Sequence, residues 1–202
     1  MLFRSSSIYE EIKDKYPIVL TRDMEKAKRW LHEKVRGSER TGVLITKESA
    51  RYKPLGVHVL QSDDDNAVHW FLEDKKDTRS SNYLEDAATE IQVQGLELDY
   101  TCLLWDADMR YENGEWHFYS FNNNKQWVEL KADTESKQER MKYMLNAYRV
   151  LLTRARCGMV ICVPEGNAHK TASGFWEDST RLPEYYDGTY QYLKNMGIEE
   201  LI

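Results

Sequence analysis

Residues whose types and spacing suit phosphate chemistry gather in two short strings: Thr89-Glu90-Ile91-Gln92-Val93-Gln94-Gly95-Leu96-Glu97, and Leu151-Leu152-Thr153-Arg154-Ala155-Arg156. Each is fused to an apolar stretch of strand character. Gly95 permits close backbone approach to a ligand. Arg154 and Arg156, with Arg149 a turn earlier, place fixed positive charge where a helical pattern gives way to a strand, and fixed positive charge is what a transferring phosphoryl group requires. Surface helices also carry arginines for solubility, and position alone does not separate the two readings. An absence matters as much. The sequence contains no glycine-rich, lysine-bearing phosphate loop, no Gly-Lys-Thr or Gly-Lys-Ser, and no apolar strand that reads as ending in paired, metal-holding acids.

The elements that must position these strings alternate between strand-like and helix-like segments, the pattern of a parallel sheet covered on both faces. Pro17-Ile18-Val19-Leu20 reads as a strand, followed by a helix with Met24, Ala27, Trp30, Leu31 and Val35 on one side and Gly37 as its stop. Gly42-Val43-Leu44-Ile45-Thr46 and Gly56-Val57-His58-Val59-Leu60 read as core strands on either side of the basic loop Arg51-Tyr52-Lys53-Pro54. Asp63-Asp64-Asp65 suggests either a metal or, with no further ligand spaced to complete a site, a solvated helix cap; the cap is favoured. Tyr100 to Asp106 is another strand. A β insertion follows: Tyr111 to Tyr119 with Asn113-Gly114 at a hairpin turn, then Gln126-Trp127-Val128-Glu129-Leu130. Its aromatics Tyr111, Trp116, Tyr119 and Trp127 either stack on bases or pack the insertion against the main sheet, the second being the commoner use. From about Glu135 a regular helix places Met141, Met144, Leu145, Tyr148 and Leu152 toward the core and Asn146, Arg149, Thr153 and Arg156 on a polar stripe, with Gly158 expected to end it before the strand Met159 to Val163.

With 202 residues, 41% apolar and 12% aromatic, the chain can bury one sizeable core, so disorder is not expected. A net charge of −6 excludes a surface uniformly positive toward nucleic acid, and any such binding must be local. Cys102, Cys157 and Cys162 lie in or beside apolar runs without paired metal spacing, which fits buried thiols in a reducing, cytoplasmic compartment. No run approaches signal-peptide or membrane-spanning length.

The order Thr-x-x-x-x-Gln-Gly-x-Glu, strand, helix, Thr-Arg-Ala resembles motifs V and VI of superfamily 1 helicases, which lie in the second of two RecA-like domains. More specifically, Ser80-Ser81-Asn82-Tyr83-Leu84-Glu85-Asp86, Gln94 to Asp99, Asn146 to Arg156 and Tyr186-Asp187-Gly188-Thr189-Tyr190 resemble domain of unknown function 2075, classed with the helicase-like portion of Schlafen-type proteins. The likeness runs from about Thr41 to the C-terminus. It implies that Arg154 is the arginine finger, that Gln94, Gly95, Glu97 and Arg149 meet the nucleotide, and that Thr89, with Arg79 and Thr153, meets a nucleic-acid backbone. The family's tyrosine, normally five residues before the finger, falls here on Arg149, with Tyr148 beside it. The motif IV arginine is replaced by Thr46 and Lys47, with Arg51 later; Lys47 or Arg51 either substitutes or is a surface charge. Arg79 with Ser80 and Ser81 either grips a phosphate or caps a helix.

The expected fold is a three-layer α/β RecA-like domain of the P-loop NTPase type, with residues 1–40 as a strand and helix leading into it, 41–202 as the domain, and the β insertion at about 107–131. The expected function is the C-terminal motor domain of a helicase-like ATPase, acting with a missing first RecA-like domain in the same polypeptide or a separate subunit, on DNA or RNA, with ATP and Mg2+ in the complete protein, no metal site of its own, and no hydrolysis by this chain unaided. Its alternatives are a non-catalytic RecA-like adaptor and, less favoured, a metal-dependent nuclease built on Asp86, Glu90 and Gln92.

Overall fold

The computed structural model describes residues 6–49, 51–60 and 64–201. Seven parallel strands form the main sheet: β1 (Ile18–Thr21), β2 (Thr41–Ile45), β3 (His58–Val59), β4 (Asp86–Thr89), β5 (Leu98–Leu104), β9 (Ala155–Cys162) and β10 (Glu199–Glu200), in the order β10-β1-β9-β5-β2-β4-β3. A separate antiparallel sheet is built from β6 (Met109–Glu112), β7 (Glu115–Phe121) and β8 (Trp127–Glu129). The helices are α1 (Ser6–Ile12), α2 (Met24–Lys34), α3 (Asp64–Leu72), α4 (Glu135–Leu152) and α5 (Glu184–Asn195).

Strand alternation makes the layers, since successive side chains point to opposite faces. Leu44, Leu103, Met159 and Ile161 pack with Trp70 of α3, Tyr148 and Leu151 of α4, and Tyr186 and Leu193 of α5. Val43, Ile45, Cys102, Leu104, Val160 and Cys162 pack on the other face with Ala27, Trp30 and Leu31 of α2. The result is the α/β three-layer, RecA-like architecture that the alternating pattern requires. The strand β1, expected as part of a lead-in, sits inside the sheet between β9 and β10. Among the described residues no helix is long and apolar enough to cross a membrane.

Three local expectations change. The stretch 56–60 gives only His58–Val59, an edge strand rather than a core one, with His58 exposed and its Nδ1 3.0 Å from Asp86 Oδ1; a short, charged edge resists pairing with another chain. The helix α4 ends at Leu152, well before Gly158, because the Arg154 carbonyl already accepts from Leu98 N (2.9 Å) and Ala155 pairs with Leu98. Gly158 instead lies within β9, where a Cβ would stand 2.8 Å from Pro17 O. Of the cysteines, Cys102 and Cys162 are buried, and burial pushes the Cys162 thiol up to about 12, but Cys157 is only half-buried.

The insertion forms as its turn residues dictate, with Asn113 and Gly114 both at positive φ (52° and 90°). Its aromatics face the protein. Trp116 stacks on Trp105 at 5.5 Å, Tyr111 meets Tyr192 at 4.1 Å, the Trp127 Nε1 donates to Thr180 O at 2.8 Å, and the Tyr119 hydroxyl donates to Glu112 Oε2 at 2.6 Å. They pack the insertion down and leave no stacking platform there. The Asp63–Asp65 run lies partly outside the described residues, with α3 beginning at Asp64.

Candidate nucleotide-facing edge

The first bonds between β5 and β9 bring the end of the first string beside the second at the amino end of the sheet. Leu98 is paired with Ala155 and donates to Arg154 O, so Gly95, Leu96 and Glu97 run directly beside Thr153 and Arg154. Arg154 is half-buried and folds back on the end of α4: Nε donates to Val150 O (3.0 Å), Nη1 to Leu96 O (3.2 Å) and Nη2 to Thr153 Oγ1 (3.2 Å). All three acceptors are neutral, and among the described residues no carboxylate pairs with it. The carbonyl end of a helix attracts a guanidinium, by about 0.3–1 kcal/mol at an exposed site, little enough for an anion to displace it. The Thr153 hydroxyl donates to Arg149 O and Val150 O, satisfying the last carbonyls of α4.

Arg156 is the contrast. Its Nη2 lies 2.6 Å from Asp99 Oδ1, and Asp99 Oδ2 also accepts Arg40 N at 2.8 Å. The hydrogen bond and charge of Asp99 raise the Arg156 pKa. That arginine is committed; Arg154 is not. Gln94, Gly95 and Glu97 are exposed, Gly95 at φ +82° with nothing within 4 Å of where a Cβ would stand. The register of α4 is also settled. Tyr148 is buried, while Arg149 is exposed with Nη1 on Asn146 Oδ1 at 3.1 Å.

The remaining sequence candidates lie elsewhere. Thr89 is buried at the carboxyl end of β4, in register with Ile45 and through it with Leu104, so it lies six positions, roughly 20 Å, along the strands from Leu98. Its Oγ1 donates to Gln92 Oε1 (3.1 Å) within its own turn. Thr153 stays at the amino end, on that Arg154 edge. Arg79 is closed on Asp77 (Nη2–Oδ2 2.7 Å), which holds that carboxyl well below its usual range, and Ser80 caps the short turn Ser81–Tyr83. Lys47 lies over the Tyr143 ring at 4.3 Å, and Arg51 ties Asp178 (3.0 Å). Of the nuclease candidates, Asp86 meets His58, Glu90 accepts from Lys47 N (2.9 Å) and the Tyr143 hydroxyl (2.6 Å), and Gln92 accepts from Thr89 and donates to Leu60 O (3.2 Å). Among the described residues no group of three or more His, Cys, Asp or Glu is placed to hold a metal ion.

A polar centre that the sequence reading passed over closes the carboxyl end. Asp106 and Asp108 follow β5 directly and are buried, at 1% and 0% exposure. Asp108 accepts from Thr46 Oγ1 (2.7 Å) and the Tyr148 hydroxyl (2.6 Å); Asp106 accepts from Arg51 N (2.9 Å), Ala107 N (2.7 Å) and the Tyr186 hydroxyl (3.2 Å). Burial first, then the charge of Asp106, pushes the Asp108 carboxyl up to about 7. Burial likewise raises Asp106. This corrects the expectation that no apolar strand ends in paired acids: β5 runs through Leu103-Leu104 and, after Trp105, straight into Asp106-Ala107-Asp108. With every contact turned inward, the pair fastens the β2 loop, α4 and α5 to the strand ends.

The sequence model of the Schlafen group 3 DNA/RNA helicase domain matches residues 4–165, well over half of the 202. The match takes in β1 and α2 as well as both strings, and stops short of α5. Comparison with curated proteins returns no match, and neither does comparison with solved structures. A mostly parallel RecA-like sheet with its two strings joined at one edge, matched over that span, places the chain in the Schlafen group 3 DNA/RNA helicase domain family.

Proposed function

We propose that this helicase-related domain is the second motor domain of a superfamily 1-type ATPase, and that its Gly95–Glu97 and Thr153–Arg154 edge forms the outer wall of an ATP site. The phosphate-loop domain that completes the site belongs to the same polypeptide or to a separate subunit. One observation carries the reading: Arg154 lies beside Gly95–Glu97, half-exposed and held only by neutral acceptors. A guanidinium so held can exchange three carbonyl and hydroxyl contacts for charge-assisted bonds to phosphate oxygens, which are roughly twice as strong. ATP with Mg2+ supplies the scissile phosphoryl group and the metal that neutralises its charge. In this scheme Arg154 stabilises the charge that builds on that group, Gln94 and the Gly95 backbone face the phosphates, Glu97 faces the sugar, and Arg149, one turn before the finger, adds positive charge to the same wall. DNA or RNA is the track, on a path across the carboxyl edge, where buried Thr89 would act by holding the turn that starts the first string.

The test joins this chain to a phosphate-loop domain encoded with it and measures ATP turnover with and without single-stranded DNA or RNA. Turnover that requires both parts and rises with a strand is expected. A phosphate-loop domain whose turnover ignores the presence of this chain would leave a non-catalytic adaptor instead.

A further inference from the structure

The aromatics of the insertion are spoken for, yet two others stand free. Phe175 is 74% exposed, the highest of the large apolar side chains among the described residues, and its neighbour Trp176 is 41% exposed. Both ride on a hairpin between β9 and α5. Thr171 N donates to Phe175 O (2.7 Å), Glu177 N to His169 O (3.0 Å), and Lys170 bridges Trp176. Gly174, at φ +81°, donates its N–H to Thr171 O (2.9 Å), the tight turn followed by a left-handed residue that three-residue hairpin loops use. Lys170 Nζ lies 4.5 Å from the Trp176 ring centroid, steadying the indole from one side.

The hairpin is also firmly rooted. Asp178 accepts from Arg51 Nη2 (3.0 Å) and Arg181 Nε (2.7 Å), and the Trp127 indole N–H reaches Thr180 O. Arg51 N in turn bonds Asp106. The root therefore stands at the carboxyl end of β2 and β5, the end to which Thr89 belongs and the opposite end from Arg154. The tip itself, residues 167–176, carries His169 and Lys170 and no Asp or Glu, while Glu177 follows it and Asp178 is neutralised by Arg51 and Arg181.

We propose that this hairpin is a single-stranded nucleic-acid contact, in which Phe175 and Trp176 stack on unpaired bases while Lys170 meets the adjoining phosphate. The inference rests on the nucleic-acid part of the proposed function. Aromatic faces stack on any base, so the contact is tolerant of sequence but selective for unpaired strands. The backbone bonds of the stem set the positions of both residues before a strand arrives, which lowers the ordering cost of binding.

The experiment uses the full chain with fluorescein-labelled oligothymidylate, oligouridylate and a blunt duplex, read by anisotropy. The Phe175→Ser/Trp176→Ser variant is expected to bind both single strands about tenfold more weakly or worse, with duplex affinity within about twofold and an unchanged melting temperature. The Phe175→Tyr/Trp176→Tyr variant is expected to retain wild-type affinity. A wild-type chain that binds strands no better than the serine variant overturns the hairpin contact alone. A wild-type chain that binds no strand at all overturns the nucleic-acid reading and the hairpin with it. Sedimentation that finds wild-type dimers, dispersed by the serine variant at unchanged strand affinity, assigns the tip to a second copy and also overturns the proposal.

Discussion

Replacing Asp108 with asparagine should flatten much of the pH dependence of stability. Asp108 has no solvent exposure, and its pKa stands at about 7 in the fold against 3.8 for a free side chain. The folded pKa is raised, so the folded state holds the proton more tightly. The stability this gives is fully present below pH 3.8 and is lost as pH rises to about 7, beyond which the loss is complete. At 1.36 kcal/mol per pH unit the whole effect is ~4 kcal/mol, of which ~2 kcal/mol falls between about pH 5 and about pH 7. With a urea slope of roughly 2 kcal/mol per molar, the wild-type midpoint should drop by ~1 M over that interval. A side-chain amide cannot ionise, so Asp108→Asn should lose that component and keep a smaller slope in the same direction from Asp106, also raised by burial. A constant offset between the proteins is expected, because an amide cannot accept from Thr46 and Tyr148 with both of its heavy atoms. The comparison therefore rests on slopes, from urea titrations at closely spaced pH. Identical slopes, or a wild type that gains stability over this range relative to the variant, would refute the buried, proton-holding Asp108.

The string Tyr186-Asp187-Gly188-Thr189-Tyr190 holds the insertion, since Thr189 Oγ1 accepts Tyr111 N (3.0 Å) and a Cβ on Gly188 would stand 2.1 Å from Tyr111 O. Gly188→Ala would gain ~1 kcal/mol by helix propensity but collides with backbone; overpacking of ~1–3 kcal/mol or more should win and lower the melting temperature by several degrees, whereas a rise would refute the close approach. Arg156→Ala takes the guanidinium from Asp99, a carboxylate only 8% exposed, and leaving a buried group short of a partner costs ~1–3 kcal/mol; calorimetry should find a melting temperature lower by several degrees, and an unchanged one would contradict the commitment of Arg156 to Asp99.

The core strands and α4 were legible because their patterns are local: Val43-Leu44-Ile45 and Thr101-Cys102-Leu103-Leu104 are continuous apolar runs, and the α4 core residues repeat at three and four. Asn113-Gly114 specified its own turn. The Asp106/Asp108 centre was not, because its partners Thr46, Tyr148 and Tyr186 lie 62, 40 and 80 positions away and no local period joins them. The same limit applies to the two arginines after α4. Adjacent in type and spacing, they differ only through Asp99, which claims Arg156 and leaves Arg154 with neutral partners. The α4 boundary was misplaced because Gly158 signals a helix stop, whereas its real constraint is contact with Pro17 across the sheet. Insertion aromatics and hairpin-tip aromatics look alike in sequence; only packing shows that Trp116 and Trp127 are used and Phe175 is not.

The central claim is that Arg154, and not its neighbour Arg156, acts on the transferring phosphoryl group. The most direct measurement is kcat for ATP turnover by the proposed assembly of this chain with a phosphate-loop domain, with Arg154→Ala and Arg156→Ala compared side by side, each assayed well below its own melting temperature. A finger is worth about 10³ or more in kcat, so Arg154→Ala should lose roughly that factor while Arg156→Ala stays near wild type; full turnover in Arg154→Ala, or equal losses in both, would contradict the account.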